Sequence, residues 1–384
     1  MKTDVEQEVE RDEEKPQLWE DVIGRRSFLR GLGTIGIAAP LVGTAALLDP
    51  ERAFGATGAL PAGDVAILRF LAAAEIIETD IWEQYNELGG VNGGNAAYIA
   101  ALENLDGDMP QYITDNTDDE RSHELFLNAY LESKGAQPVN LDAFRTLPST
   151  RATGAKQVGR LTNLEQLSIN LGWYTRYRSE LNPDLGAKFN GPFTITNQPA
   201  VPISDADTPP DQTQPNPPVT AKQRRMQAIA NTAGFHFAWI EQGGSSLYPT
   251  LALNVTDAEV LKVVLGIGGV EIDHFGLWHD KAGNAVNAPL APLTDPETGL
   301  TFPNLNDPAT ELTQTNKILP EPCQFIRKSL PKCSVIRPMQ PGKSGAVAAA
   351  NGFVADGLFR GQSQAFFNAL FSLALAADAA VRGC

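Results

Sequence analysis

Two short stretches of this chain place a glutamate three residues before a histidine: Glu120-Arg-Ser-His123 and Glu271-Ile-Asp-His274. On an α-helix that offset puts both side chains on one face, so a carboxylate oxygen and an imidazole nitrogen can reach one cation. The chain has only 4 histidines in 384 residues. At ordinary composition a given histidine has a glutamate at that offset about one time in fifteen, so two hits exceed chance. Two metal ions held side by side need further carboxylates, both to bridge them and to neutralise their charge. Glu75 in "AAAEIIETDIW" and Glu241 in "FAWIEQGGSSLY" are the candidates, with Glu78 an alternative one turn from Glu75. Glu241 is the only carboxylate in a long apolar run, where a buried acid without a partner costs several kcal/mol. Four ionised carboxylates would balance two divalent cations.

These residues need helices to position them. Apolar residues recur at helical spacing from Asp64 to Leu88, with Asp64 as a cap and Gly89-Gly90 as a stop. A second helix is expected from near Pro110 to Lys134-Gly135, with a shorter one before it at Asn95 to Leu105. A third begins near Ala221, weakened or bent at Gly243-Gly244 and disrupted by Pro249; a fourth runs from a cap at Thr256 or Asp257 to Gly283. Glu75 thus falls on the first long helix, Glu120 and His123 on the second, Glu241 on the third, and Glu271 and His274 on the fourth. The pattern predicts an all-α fold, two helix pairs joined by a long crossover. The expected divisions are 57–137 for the first pair, 138–220 for the crossover and 221–283 for the second pair. A loop-rich segment, 284–350, and an apolar C-terminal helix packed on the bundle, 351–384, complete the chain. Within the crossover, "TNLEQLSINLGWYTRYRSEL" (Thr162–Leu181) reads as a helix, and the proline-rich Asn197–Thr220 as a surface connection.

The remaining ionisable and aromatic residues have plainer expected roles. His236, five residues before Glu241, faces away from it and reads as a packed or supporting histidine. His279 is expected near a helix end, complementing the dipole, and Asp273 to orient a ligand on a neighbouring helix. Glu83 and Glu87 read as surface acids, and Trp82, Trp239 and Trp278 as core.

Composition narrows the partners. A formal net charge of -16 disfavours nucleic acid and anionic membrane, both of which would repel the chain. The N-terminal "GRRSFLRGLGTIGIAAPLVGTAALL", with Arg25-Arg26 before Phe28-Leu29, looks like a twin-arginine export signal. Cleavage is expected within "AFGATGA" (Ala53–Ala59), making residues 1–56 the signal and the mature chain periplasmic or extracellular. That route carries folded proteins, often with cofactors already inserted. No permanent membrane span is expected in the mature chain; the apolar C-terminal stretch is short and contains Asn368 and Asp378. Cys323 and Cys333 could pair in an oxidising compartment, Cys384 is left over, and no thiolate metal site is present in the sequence pattern.

Glu on the first helix, Glu-x-x-His on the second, Glu on the third and Glu-x-x-His on the fourth resembles the ferritin-like superfamily of di-iron or di-manganese carboxylate proteins. Within it, the chain looks like the exported ferritin-like domain proteins related to plant desiccation-related proteins. An aromatic residue often follows the first or third ligand by seven positions in such families, and here Trp82 follows Glu75 and Tyr248 follows Glu241. That spacing favours Glu75 over Glu78. The resemblance implies a six-ligand site of Glu75, Glu120, His123, Glu241, Glu271 and His274, with Glu120 and Glu271 bridging two iron or manganese ions. It further implies chemistry with dioxygen or peroxide in oxidative or desiccation stress. The long crossover is unlike a storage shell, and no methionine among Met1, Met109, Met226 and Met339 can be assigned as a haem ligand, so no haem is expected. The competing expectation is a non-catalytic stress or desiccation-protection protein on the same bundle, with structural metal or none.

Overall fold

A computed structural model of the chain describes residues 59–176, 189–306, 309, 313, 315, 322–336 and 345–383. The segment expected to be an export signal, and Cys384, lie outside the described residues. Four long helices form the frame: α1 (Ala62–Gly89), α3 (Met109–Ser133), α5 (Ala221–Ala252) and α6 (Ala258–Asn284), with the short α2 (Ala96–Glu103) between α1 and α3. Helix α1 packs chiefly on α3, and α5 on α6.

Local chemistry sets the helix ends. Pro110 stands in the first turn of α3, where its missing N–H would have no partner in any case. Thr220 opens α5 with a reciprocal cap: its hydroxyl accepts from the Gln223 amide at 3.2 Å while Gln223 Oε1 accepts from the Thr220 amide at 2.9 Å. Asp257 caps α6, accepting from the Glu259 and Val260 amides. Asp64 does not cap α1, which already begins at Ala62. Its buried carboxylate instead accepts from the Thr256 and Asp257 amides at 3.0 and 2.7 Å, fastening the α5–α6 turn to the start of α1.

Helix α5 runs through Gly243-Gly244 and Pro249 to Ala252. Pro249 falls in the last turn, so it removes one amide bond close to where the helix would stop anyway. Hydroxyls close back on the backbone on either side, from Ser245 to the Glu241 carbonyl and from Thr250 to the Ser246 carbonyl, both at 2.7 Å.

The expected crossover helix over Thr162–Leu181 does not form in its described part, except for the single turn α4 (Trp173–Arg176). Leu167, Ile169 and Leu171 are buried while Ser168 and Asn170 are not, the alternation of an extended segment. Its backbone bonds go elsewhere: Leu167 exchanges bonds with Gln198, and the Ser168 amide donates to the Asp356 carbonyl. Asp80 of α1 is the anchor. Its buried carboxylate accepts from the Leu161 and Thr162 amides at 3.0 and 2.9 Å, from the Thr162 hydroxyl at 2.7 Å, and from Arg145 Nη1 at 2.7 Å. Glu87 is likewise no surface acid, because it is paired with the buried Arg160 at 2.5 Å.

Beyond α6 come a two-residue β-ladder, β1 (Leu293–Thr294) with β2 (Thr301–Phe302), and two helices, α7 (Ala346–Asp356) and α8 (Gln364–Asp378). Helix α7 therefore starts inside the segment expected to be loop. Helix α8 buries Phe366, Leu370, Ala374 and Ala377 and packs against α1 and α7. Asp378 accepts from the Ala346 and Val347 amides, so the end of α8 caps the start of α7. Among the described residues, no helix is long and apolar enough to cross a membrane. Cys323 and Cys333 exchange backbone hydrogen bonds at 3.1 and 3.0 Å.

Replacing Asp80 by alanine strands the buried Leu161 and Thr162 amides and leaves Arg145 with Asp142 alone of its two carboxylate partners. We expect Asp80→Ala to lower unfolding free energy by about 3–5 kcal/mol, read from urea denaturation, with the crossover becoming protease-sensitive before the helices do.

Candidate metal centre

Each long helix delivers its carboxylate or Glu-x-x-His pair to one place in the bundle. Glu75 comes from α1, Glu120 and His123 from α3, Glu241 from α5, and Glu271 and His274 from α6. All six are buried. Their donor atoms form two overlapping groups, Glu75, Glu120, His123 and Glu271 in one and Glu120, Glu241 and His274 in the other, with all donors of a group within 4.8 Å of each other. Glu120 belongs to both. Glu271, expected to bridge as well, groups only with the first.

The imidazoles face inward. His123 Nδ1 lies 3.1 Å from Glu120 Oε2, 3.5 Å from Glu75 Oε2 and 3.6 Å from Glu271 Oε1. His274 Nδ1 lies 3.0 Å from Glu120 Oε1 and 3.2 Å from Glu241 Oε2. Its other nitrogen, Nε2, is held at 3.2 Å by the half-exposed Asp119 of α3. That assigns to Asp119 the orienting role expected of Asp273, which is exposed.

Further groups fix the carboxylates. Asn116 Nδ2 donates to Glu120 Oε1 at 2.8 Å and to Glu241 Oε1 at 3.1 Å, while Asn116 Oδ1 accepts from Trp278 Nε1 at 2.7 Å. The Tyr248 hydroxyl donates to Glu75 Oε1. Ser245 ties its own helix to α6 by donating to the Glu271 carbonyl at 3.0 Å. Behind Asn116 the rings of Trp278, Trp82 and Phe237 pack together, Trp82 on Trp278 at 5.4 Å and on Phe237 at 4.9 Å. They close that side with apolar surface.

Within the cluster, three buried oxygens accept no hydrogen bond from the described residues: Glu75 Oε2 and both oxygens of Glu271. An ionised carboxylate left so is strongly unfavourable, and cation coordination is one arrangement that satisfies it. The donor set of carboxylate oxygen and imidazole nitrogen without thiolate fits hard to intermediate divalent cations. These groups could hold metal ions.

The helix surface makes room for Glu271 in a specific way. A Cβ on Gly244 would sit 1.9 Å from Glu271 Oε2, and one on Gly268 would sit 2.7 Å from the Tyr248 Cβ. The glycine pair that reads as a weak point in α5 thus includes the position where α5 must be bare.

In the metal-free cluster, protons supply the missing positive charge. Burial lifts Glu75 to about 7, against the pull of His123, and burial with Glu120 beside it holds Glu271 well above the carboxylate range. Burial also raises Glu241, although His274 opposes it. Glu120 goes the other way. Against burial, hydrogen bonds with His123 and His274 bring it down to about 2. Burial disfavours the imidazolium of His123, yet Glu120 and Glu75 raise it to about 10; His274 is raised further by Glu241, Asp119 and Glu120.

The other two histidines stand apart. His236 is fully buried, 2.6 Å from the Tyr85 hydroxyl and 3.1 Å from Asp356 Oδ2, a packed histidine as expected. His279 lies five residues before the end of α6 at Asn284 and is buried among Tyr174, Trp173 and Phe275. Glu78 is the residue that sequence reasoning treated only as a substitute for Glu75. It is a further buried carboxylate, close enough to Glu75, Glu120 and Glu241 that their charges, added to its burial, raise its pKa well above the ordinary range. Asn116 had a legible signal, one helical turn before Glu120; Asp119 had none, since its partner is on another helix.

Compared with known proteins, the chain matches the sequence profile of the ferritin-like domain family over residues 63–284, more than half its length. It belongs to that family. No curated protein and no solved structure gives a significant match.

Cations entering this cluster must displace the imidazolium protons of His123 and His274, so loading releases protons and affinity rises with pH. Calorimetry in two buffers of different ionisation enthalpy checks this; uptake without proton release would contradict it. Gly244→Ala, which pushes on Glu271, should weaken metal binding by roughly 10- to 100-fold while the helical circular-dichroism signal persists.

Proposed function

We propose that this chain is an exported ferritin-like protein that holds a dinuclear iron or manganese centre and reacts with dioxygen or peroxide under oxidative or desiccation stress. The observation that carries the reading is the pair of overlapping donor groups sharing Glu120. Glu75, His123 and Glu271 would hold one ion and Glu241 and His274 the other, with Glu120, the carboxylate common to both groups, available to each. Export rests on the Arg25-Arg26 signal, which belongs to the sequence outside the described residues.

Bound there, iron or manganese would supply redox chemistry toward dioxygen or peroxide. The chain's own residues do the rest. Asp119 fixes the ring of His274, so that Nδ1 and not Nε2 faces the cluster. Asn116 holds Glu120 and Glu241 in register, and Tyr248 holds one oxygen of Glu75 while leaving the other free. The Trp82, Trp278 and Phe237 rings exclude water from one side, which strengthens every electrostatic contact inside.

Metal analysis of protein purified from its native exporter tests the reading. We expect about two iron or manganese ions per chain, followed by turnover on anaerobic loading and challenge with oxygen or peroxide. Less than about one ion per chain, unaffected by Glu271→Ala, would sink the metal reading; two ions without turnover would favour the non-catalytic protection role.

The same reading predicts opposite effects on the two forms of the protein. Glu271→Gln removes a buried carboxylate that only a cation or a proton satisfies. Metal-free protein should therefore keep or gain thermal stability, while the rise in Tm that metal gives wild type is lost.

A further inference from the structure

A cavity of about 480 Å³ lies against the other side of the cluster, walled by α1, α5, α7 and the crossover. Its wall includes Glu78, Gly244 and Tyr248, residues that also border the metal-site carboxylates. The volume is within the range of small-molecule sites, roughly 300–1,000 Å³.

Trp173, Phe189, Trp239 and Phe353 are among the residues on its sides, and the two tryptophans are already fixed. Trp239 is stacked on the buried His236 at 5.7 Å and meets Phe353 edge-on at 6.0 Å. Trp173 is braced by Phe235, Phe275 and His279. Rings held in place by other rings lose little freedom when a flat molecule slides between them. The space itself comes from small residues: a Cβ on Gly243 would meet nothing within 4 Å, and one on Gly352 only the tip of Trp239 at 3.8 Å.

Asn170, Arg176 and Gln242 also line the wall, and Glu78 is the carboxylate among the lining residues. Glu78 is 4% exposed and lines the cavity, yet its carboxyl makes none of the hydrogen bonds found among the described residues. Its neighbours Glu75, Glu120 and Glu241 are all acidic, so an anion is disfavoured at that end. A neutral molecule with an O–H or N–H to donate fits.

We propose that this cavity binds an uncharged aromatic molecule of one or two rings bearing a hydroxyl or N–H, a phenol, naphthol or indole, with that group directed at Glu78. Its place beside the cluster makes such a molecule the organic substrate class of the proposed metal centre, and that role rests on the metal reading; the binding itself does not.

Calorimetric titration of the full mature chain with 2-naphthol and with naphthalene separates the two. Wild type should prefer 2-naphthol by about ten-fold or more, and Glu78→Ala should abolish that preference. Gly243→Leu and Gly352→Leu, each filling the cavity from a different helix, should weaken 2-naphthol by at least about ten-fold with metal loading unchanged. Glu271→Gln should do the reverse, losing metal and keeping 2-naphthol. No 2-naphthol binding to wild type, equal affinity for naphthalene, or undiminished binding by both folded leucine variants would each overturn the proposal. Loss of metal loading in wild type, with naphthol binding intact, would overturn the metal reading alone.

Discussion

The three oxygens of the Glu/His cluster that are buried without a hydrogen-bond donor, one on Glu75 and two on Glu271, are the constraint on which this bundle depends. Removing an ionised carboxylate from water costs several kcal/mol even after a protein relaxes around it. Two imidazoles and the protons they hold offset part of that cost in the metal-free chain. Cations would offset more, and they would do so at the one point where all four long helices meet. Much of the surrounding packing serves to keep that point dry and its acids in place.

The two sides of the cluster are built differently. On one, Asn116 links Glu120 and Glu241 to Trp278, and behind it Trp82 and Phe237 complete a wall of buried rings. On the other, α5 shows Gly243 and Gly244 in place of side chains, and the surface opens into the aromatic cavity. Closed packing on one side and an organised space on the other give the cluster a direction of approach. Tyr248 stands at the boundary, with its hydroxyl on Glu75 and its ring in the cavity wall.

The crossover and the C-terminal helices support this frame through a few polar anchors. Asp80 collects two crossover amides and an arginine, Asp64 fastens the α5–α6 turn, and Asp378 caps α7 from the end of α8. Each is a carboxylate accepting from backbone amides that no helix or sheet ladder uses, which is how an irregular connection satisfies its buried donors. Asp356, on α7, also meets His236 of α5, so the C-terminal segment reaches the core through a charged group as well as through apolar contact.

What the sequence by itself determined was the set of local relations: the Glu-x-x-His offsets, a cap at Thr256 or Asp257, the all-α class and the helix on which each donor rides. A helix repeats every 3.6 residues, so which side chains share its face can be read from spacing alone. Only the tertiary structure decided the relations between distant segments. His274 is oriented by Asp119, 155 positions earlier in the chain. Leu167 pairs with Gln198 instead of continuing a helix, because Asp80 and the α7 backbone claim its neighbours. Gly244, which spacing marks as a weakness, is the gap Glu271 occupies. Such pairings follow from which surfaces meet when helices pack, and no local periodicity encodes them.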